Sequence, residues 1–386
     1  MQNGLRLLLS ASLLLAIAAC SSKFDTSSSS VSLSSKTNTA MERGHQYKDG
    51  KFTADLKKVK KINSATNYEP YRFKEQVQQV MKHSSRLRKR YSVLYAKILK
   101  WSQESGKVED LDKYHIQIAQ MAGKDRFGNV LFTGYFSPII EVREKPNATY
   151  KYPLYASPRC RVCPTRKAIY DGALKGKGLE IAYSASLLDN FLMEVQGSGF
   201  IHYGDSDKIE YLSYGARNNR RYTSIGRILI NQGEVKREDM SMAAIKKWVK
   251  THNESQVRKL LEANESFIFF RRVDTHNVFG SAGVPLVAGA SVASDNKLLP
   301  PGSVIIAEVP QIDGQGNWTG KYKLKPMIAL DRGGAVDGGH VDLYYGIGNR
   351  AGLMAGYNKF YGRLWKLGMK NSYSENPWEY NKDTKK

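Results

Sequence analysis

The chain of 386 residues carries 59 lysines and arginines against 36 aspartates and glutamates, a net charge of +23. That length exceeds what one hydrophobic core usually organises, so two domains are expected, and the charge surplus draws the chain toward polyanions. With no nucleic-acid-binding motif and an export signal at the amino terminus, nucleic acid is excluded as a partner. Polyanions of the cell envelope remain, beside the alternative of a general basic bias with no specific partner.

Residues 1–19 read as a signal peptide: Arg6, then an apolar core over Leu7–Ala16 that is too short to span a bilayer as a permanent helix. Ile17-Ala-Ala-Cys20 sets small residues before a cysteine, as in a bacterial lipoprotein cleavage box, which makes Cys20 the lipidated first residue. Acyl chains on it would anchor the chain, at roughly 0.8 kcal/mol per buried CH₂. An ordinary signal peptide with an incidental cysteine is the alternative. Ser21 in place of an aspartate favours the outer membrane under enterobacterial sorting. Residues 20–36 follow as a tether; nine serines in positions 21–36 are too polar to bury a core.

From Pro70 to Trp101 the pattern is helical. Phe73, Val77, Val80 and Met81 share one face, and Tyr91, Leu94, Tyr95, Ile98 and Leu99 another, with Arg86, Arg88, Lys89 and Arg90 on a solvated stretch between. Asn129–Thr133 reads as a strand leading into Gly134 and Tyr135. Cys160 and Cys163 lack two further ligands for zinc; export permits a local disulfide, to which no function is assigned. Ser186-x-x-Asp189 has capping-box spacing ahead of a helix with Leu188, Phe191, Leu192 and Val195 on one face, ending at Gln196-Gly-Ser-Gly199. Further helices are expected around Met242–Val249 and Val257–Leu261. Strands are expected at Phe267–Phe270, Val284–Val287, Gly302–Val309 and Arg363–Leu367.

The stretch 326–356, PMIALDRGGAVDGGHVDLYYGIGNRAGLMAG, concentrates Asp331, Asp337, Asp342 and His340 among glycines. Met327–Leu330 and Val341–Tyr344 read as strands around a glycine loop that lets a ligand approach the main chain. Carboxylates at strand ends beside such a loop suit catalysis; a glycine-rich barrel corner with solvated aspartates suits the same spacing. Gly346-Ile-Gly348…Gly352 is not a dinucleotide fingerprint, because no βαβ unit supports it.

This stretch resembles the MltA family of membrane-bound lytic murein transglycosylases in the segment ALDxGGAxxGxHxDxYxGIGxxAGxxAG. In chain order, Phe132–Pro138, Met193–Gly199, Ser224–Ile230 and Val284–Asp295 followed by Pro300-Pro-Gly302 resemble the same family, from about Gly44 to Leu367. The resemblance implies a mainly β fold with N-terminal helices. A double-psi β-barrel domain (37–137 plus 277–380) would carry a second small β-barrel domain inserted at 138–276, with the substrate groove between them and a flexible tail at 381–386. Thr133, Gly134 and Tyr135, with Gln196, Gly197 and Ser198, would face the sugars of peptidoglycan.

The reaction so implied cleaves the β-1,4 bond between N-acetylmuramic acid and N-acetylglucosamine and forms 1,6-anhydromuropeptides. The muramic acid 6-hydroxyl attacks the anomeric carbon, so one carboxyl group can act first as acid and then as base. Asp342 matches the family's acid and Asp331 its supporting aspartate; Asp337 falls where the family varies and is given a structural role. The resemblance requires no metal or cofactor. It implies peptidoglycan glycan strands as partner, membrane attachment through the N-terminal lipid, and other cell-wall enzymes as further candidate partners. The place would be the bacterial envelope, at the outer membrane facing the periplasm. A non-catalytic murein-binding lipoprotein and a lysozyme-like hydrolase, which needs a second carboxylate for water, are the alternatives.

Overall fold

The computed structural model describes residues 47–370 apart from Asp49, Asp205 and Ala335. The signal peptide, Cys20, the serine-rich tether and the tail 381–386 lie outside the described residues. In chain order the strands are β1 (Leu56–Val59), β2 (Ile116–Met121), β3 (Val130–Ser137), β4 (Ile139–Arg143), β5 (Tyr152–Tyr155), β6 (Glu180–Ser184), β7 (Gly199–Tyr203) and β8 (Ile209–Arg217). They continue with β9 (Ile268–Val273), β10 (Ser291–Ser294), β11 (Val304–Ile312), β12 (Trp318–Asp331), β13 (His340–Ile347), β14 (Lys359–Gly362) and β15 (Leu364–Met369).

These strands form two sheets. The larger runs β1-β2-β15-β11-β12-β10-β13-β3-β14, and the smaller β5-β6-β4-β7-β8-β9. The larger sheet curls toward closure where the Glu308 N–H of β11 donates to the Arg363 carbonyl just after β14, at 2.9 Å. The smaller curls likewise, with Ala156 beyond β5 bridging Phe270 of β9. The chain changes sheet between Ser137 and Ile139 and returns after Val273, so the second barrel is inserted into the first. The fold is thus mainly β, a barrel with N-terminal helices and an inserted smaller barrel.

The N-terminal helical pattern resolves into two helices, Phe73–His83 and Ser85–Glu104. Ser84 breaks them; its extended backbone caps the second, the hydroxyl accepting from the Leu87 N–H at 3.3 Å. Leu87, Leu94, Tyr95, Ile98 and Trp101 of that helix are buried with Ile116 and Ile118 of β2, Val304 and Ile306 of β11, and Trp365 of β15. The barrel interior is filled by Val130, Phe132, Val292, Ile305, Met327, Val341 and Leu343, from strands distant in sequence.

Three sequence expectations need correction. Val284–Val287 is no strand: Pro285 lacks an N–H for a ladder, and the Val287 N–H donates to buried Gln76 at 2.7 Å. Val195 is 43% exposed, because the Leu187–Gln196 helix packs through Leu188, Phe191 and Leu192 and its last turn runs past that contact. Gly348–Tyr357, left without an element by the sequence pattern, is a helix. In the inserted barrel, Cys160 and Cys163 form a disulfide, and Arg166 pairs with Glu194 at 2.6 Å in full burial.

Candidate active site

The site is built by strand register. In β10, Ala293 stands opposite Asp331 of β12 on one side and Asp342 of β13 on the other. Asp342 in turn stands opposite Thr133 of the parallel strand β3. Asp331, Asp342 and Thr133 therefore lie at one level across four adjacent strands. The two aspartate backbones are about 10 Å apart, two strand spacings. An irregularity between Val292 and Ala293 brings Asp331, rather than Leu330, to that level.

Asp342 is half-buried. The Thr133 hydroxyl donates to its Oδ1 at 2.7 Å. Burial raises its pKa to about 7; the Thr133 hydrogen bond works against the rise and the nearby charge of Asp331 adds to it. Asp331 is also raised, again chiefly by burial, although the N–H groups of Ser281 and Arg332 both donate to its Oδ1 at 2.9 Å. The Tyr135 hydroxyl donates to Asp331 Oδ2 at 3.3 Å, and burial with the Asp331 charge pushes that phenol well above its ordinary value. Two carboxyl groups that hold protons more tightly than free aspartate thus lie at one level of the sheet.

The inserted lobe contacts β3 beside these residues. Helix Leu187–Gln196 ends with Gly197 at φ 81°, a left-handed cap that needs glycine. There Gln196 Oε1 accepts the Phe136 N–H from β3 at 3.1 Å. Ser198 hydrogen-bonds the Tyr211 hydroxyl, which also accepts the Phe279 N–H at 3.3 Å. Phe200 and Tyr211 pack with Val278 and Tyr344, and Tyr135 lies against this aromatic cluster. Gly134 has a packing reason to be glycine: a Cβ there would come within 2.7 Å of both the Ala355 Cα and the Tyr345 ring.

Of the six residues expected beside the aspartates, Thr133 and Tyr135 hydrogen-bond them, Gln196 bonds the strand that carries Thr133 and Tyr135, and Ser198 bonds Tyr211, while Gly134 packs on Ala355 and Gly197 makes the helix cap. Asp337 is exposed and pairs with Lys124 at 2.6 Å. Sequence reasoning passed over Ser281, Tyr344, Tyr211 and His340 as parts of the site. Of these, His340 and Tyr344 carried a signal, the two-residue spacing of each from Asp342, which puts all three on one face of a strand. Two concavities, about 450 Å³ beside Cys160–Cys163 and about 620 Å³ beside Arg143 and Lys208, contain none of these residues. Among the described residues, no three or more His, Cys, Asp or Glu gather as metal ligands.

Fold and site together define a two-lobed β-barrel protein with two aspartates, both raised in pKa by burial, at one level of the larger sheet. Residues 159–271 match the MltA specific insert domain and residues 290–368 the 3D domain. Over 338 residues the chain is 48% identical to the membrane-bound lytic murein transglycosylase A of Vibrio cholerae, covering 87% of this chain and 92% of that protein. It is 45% identical to the Escherichia coli protein of the same name over 328 residues, 84% of this chain and 90% of that one. The crystal structure of E. coli MltA with bound chitohexaose superposes with a TM-score of 0.81 at 44% identity, covering 86% of this chain and 99% of that one. The chain belongs to the MltA family.

Proposed function

We propose that this protein is a peptidoglycan lytic transglycosylase in which Asp342 is the single acid and base. The observation that carries the assignment is a half-buried carboxyl raised to about 7, hydrogen-bonded on one oxygen by Thr133. Such a group holds a proton near neutral pH yet can release it. Asp342 gives its proton to the glycosidic oxygen as the bond to the muramic acid C1 breaks. The 6-hydroxyl oxygen then bonds to C1, and its proton passes to the Asp342 carboxylate. Glycan is split, a 1,6-anhydro ring is closed, no water is consumed, and the acid is restored.

Asp331 supports this cycle. Its charge adds to the retention of the proton on Asp342, and the Tyr135 hydroxyl holds it in place. Thr133, Gly134 and Tyr135 with Gln196, Gly197 and Ser198 form the two walls that hold the glycan; the chitohexaose bound to the E. coli relative supports a glycan strand as the ligand. The domain division is 37–137 plus 277–380 for the barrel and 138–276 for the insertion, supported by the change of sheet after Ser137 and the insert match over 159–271. Lipidation at Cys20 places the enzyme on the outer membrane, facing the periplasm; the relatives' membrane-bound name supports attachment.

Digestion of purified sacculi followed by mass spectrometry tests the reaction. Products one water lighter than reducing-end muropeptides are expected. Reducing ends alone would make the protein a hydrolase, and sacculus binding without soluble products would make it a binding lipoprotein.

A further inference from the structure

His340 takes no part in the chemistry above, yet its position beside the acid is specific. It is 9% exposed and precedes Asp342 by two residues on β13, so both side chains lie on one face of the strand. Thr133 Oγ1, from the parallel strand β3, lies 2.7 Å from His340 Nε2 and 2.7 Å from Asp342 Oδ1. The hydroxyl has one proton to give and lone pairs to receive one. Donation can therefore run from His340 through Thr133 to Asp342, or in reverse, but not from Thr133 toward both ends, since it has a single proton.

Only one polarity serves both halves of the proposed cycle. If Thr133 donated to Nε2, the Asp342 acid would have to spend its own proton on Thr133, and the carboxylate left after proton delivery would face no donor. If Nε2–H donates to Thr133, the hydroxyl proton is directed at Oδ1 in the acid and the carboxylate alike. Oδ2 is then the oxygen that carries the proton to the glycosidic bond and recovers it from the 6-hydroxyl.

We propose that His340 is a positioning residue which, as an Nε2–H donor, fixes the direction of the Thr133 hydrogen bond and so assigns the transferable proton to Oδ2 of Asp342. The inference rests on Asp342 being the acid. Among the described residues, the ionisable groups around this chain of bonds include Asp331 from β12, Tyr135 from β3, Tyr345 on β13, and Asp337 from the loop before His340, itself paired with Lys124.

The test is a set of initial rates of anhydromuropeptide release on sacculi, with thermal melting and sacculus pull-down for each variant. His340→Leu and Thr133→Val should each lower kcat roughly tenfold, the scale of one hydrogen bond to a charged group, with unchanged pull-down for His340→Leu. The double variant should be no slower than the slower single one, since both break the same chain of bonds. His340→Gln keeps an N–H donor and should recover most of the rate. Thr133→Val should also move the alkaline limb of kcat upward, because the carboxylate loses its donor; a purely structural loss would leave that limb in place.

Full activity in His340→Leu, or additive losses in the double variant, would overturn the proposal. Should His340→Leu fail to fold, an unshifted alkaline limb in Thr133→Val would overturn it independently. Asp342→Asn separates the two ideas: if it is inert while His340→Leu is fully active, the acid assignment stands and the His340 role falls. An active Asp342→Asn removes both.

Discussion

At the scale of the residue, the chemistry depends on keeping a proton on Asp342. Asp342→Asn preserves shape and accepts the Thr133 hydrogen bond but delivers no proton, so anhydromuropeptide release should fall at least about 10²–10⁴-fold while sacculus pull-down persists. Asp337→Asn, whose only described ion pair is the exposed one with Lys124, should keep most activity. The protonated acid is the working form, so kcat should be level on the acid side and decline as pH rises through about 7. The same elevation carries a stability cost with a definite sign. Folding raises this carboxyl above its unfolded value of 3.8, so the folded state binds the extra proton between the two values and loses stability as pH rises through that window. Each unit of elevation costs about 1.4 kcal/mol once the group is ionised. Asp342→Asn should therefore melt higher than the parent at pH 8 and show little gain at pH 4. Equal melting at pH 8 would mean that the carboxyl is not strained by burial.

At the scale of the element, the helix Gly348–Tyr357 presses on β3 through Gly134, whose missing side chain leaves room for the Ala355 backbone. Gly134→Ala puts a carbon against main chain that cannot step aside. It should destabilise by about 1–3 kcal/mol and displace β3, lowering turnover with it; urea melts and sacculus digestion measure the two. This helix also marks the limit of what the sequence discloses. Gly348, Gly352 and Gly356 defeat helix propensity, and only the contact with β3 explains Gly352, where a Cβ would come within 2.6 Å of the Phe136 ring. The aspartates, the glycine loop and the Gln196 cap were legible because each sits in a local motif. The β3–β13 pairing that puts Thr133 opposite Asp342 was not, nor was Ala293 between the two aspartates, because register between distant strands leaves no mark in either strand alone. Val284–Val287 failed for the complementary reason: its apolar pattern is real, but Pro285 and the demand of Gln76 for the Val287 N–H divert it from a ladder.

At the scale of the whole molecule, the barrel is held by a buried charge pair as well as by its core. Arg363 makes two bonds to Glu308, 2.8 and 2.9 Å long, and Ser64 donates to the same carboxylate. Glu308→Ala removes the carboxylate that takes two bonds from this buried guanidinium, a change that typically costs about 3–5 kcal/mol; a melting curve checks it, and a loss below 1 kcal/mol would mean that water replaces the carboxylate. The insertion has a further consequence, for the order in which the chain folds. Strands β4 to β9 are contiguous in sequence and can pair as soon as they exist. The first barrel cannot: β2 pairs with β15, Gln120 opposite Trp365, and β15 also pairs with β11, so the last described strand is an interior one. Closing such distant contacts is slow. During refolding, amides of the inserted lobe should gain protection from hydrogen exchange before those of β2 and β15, and a chain cut before Leu364 should leave the active-site barrel unformed while the lobe it surrounds still folds.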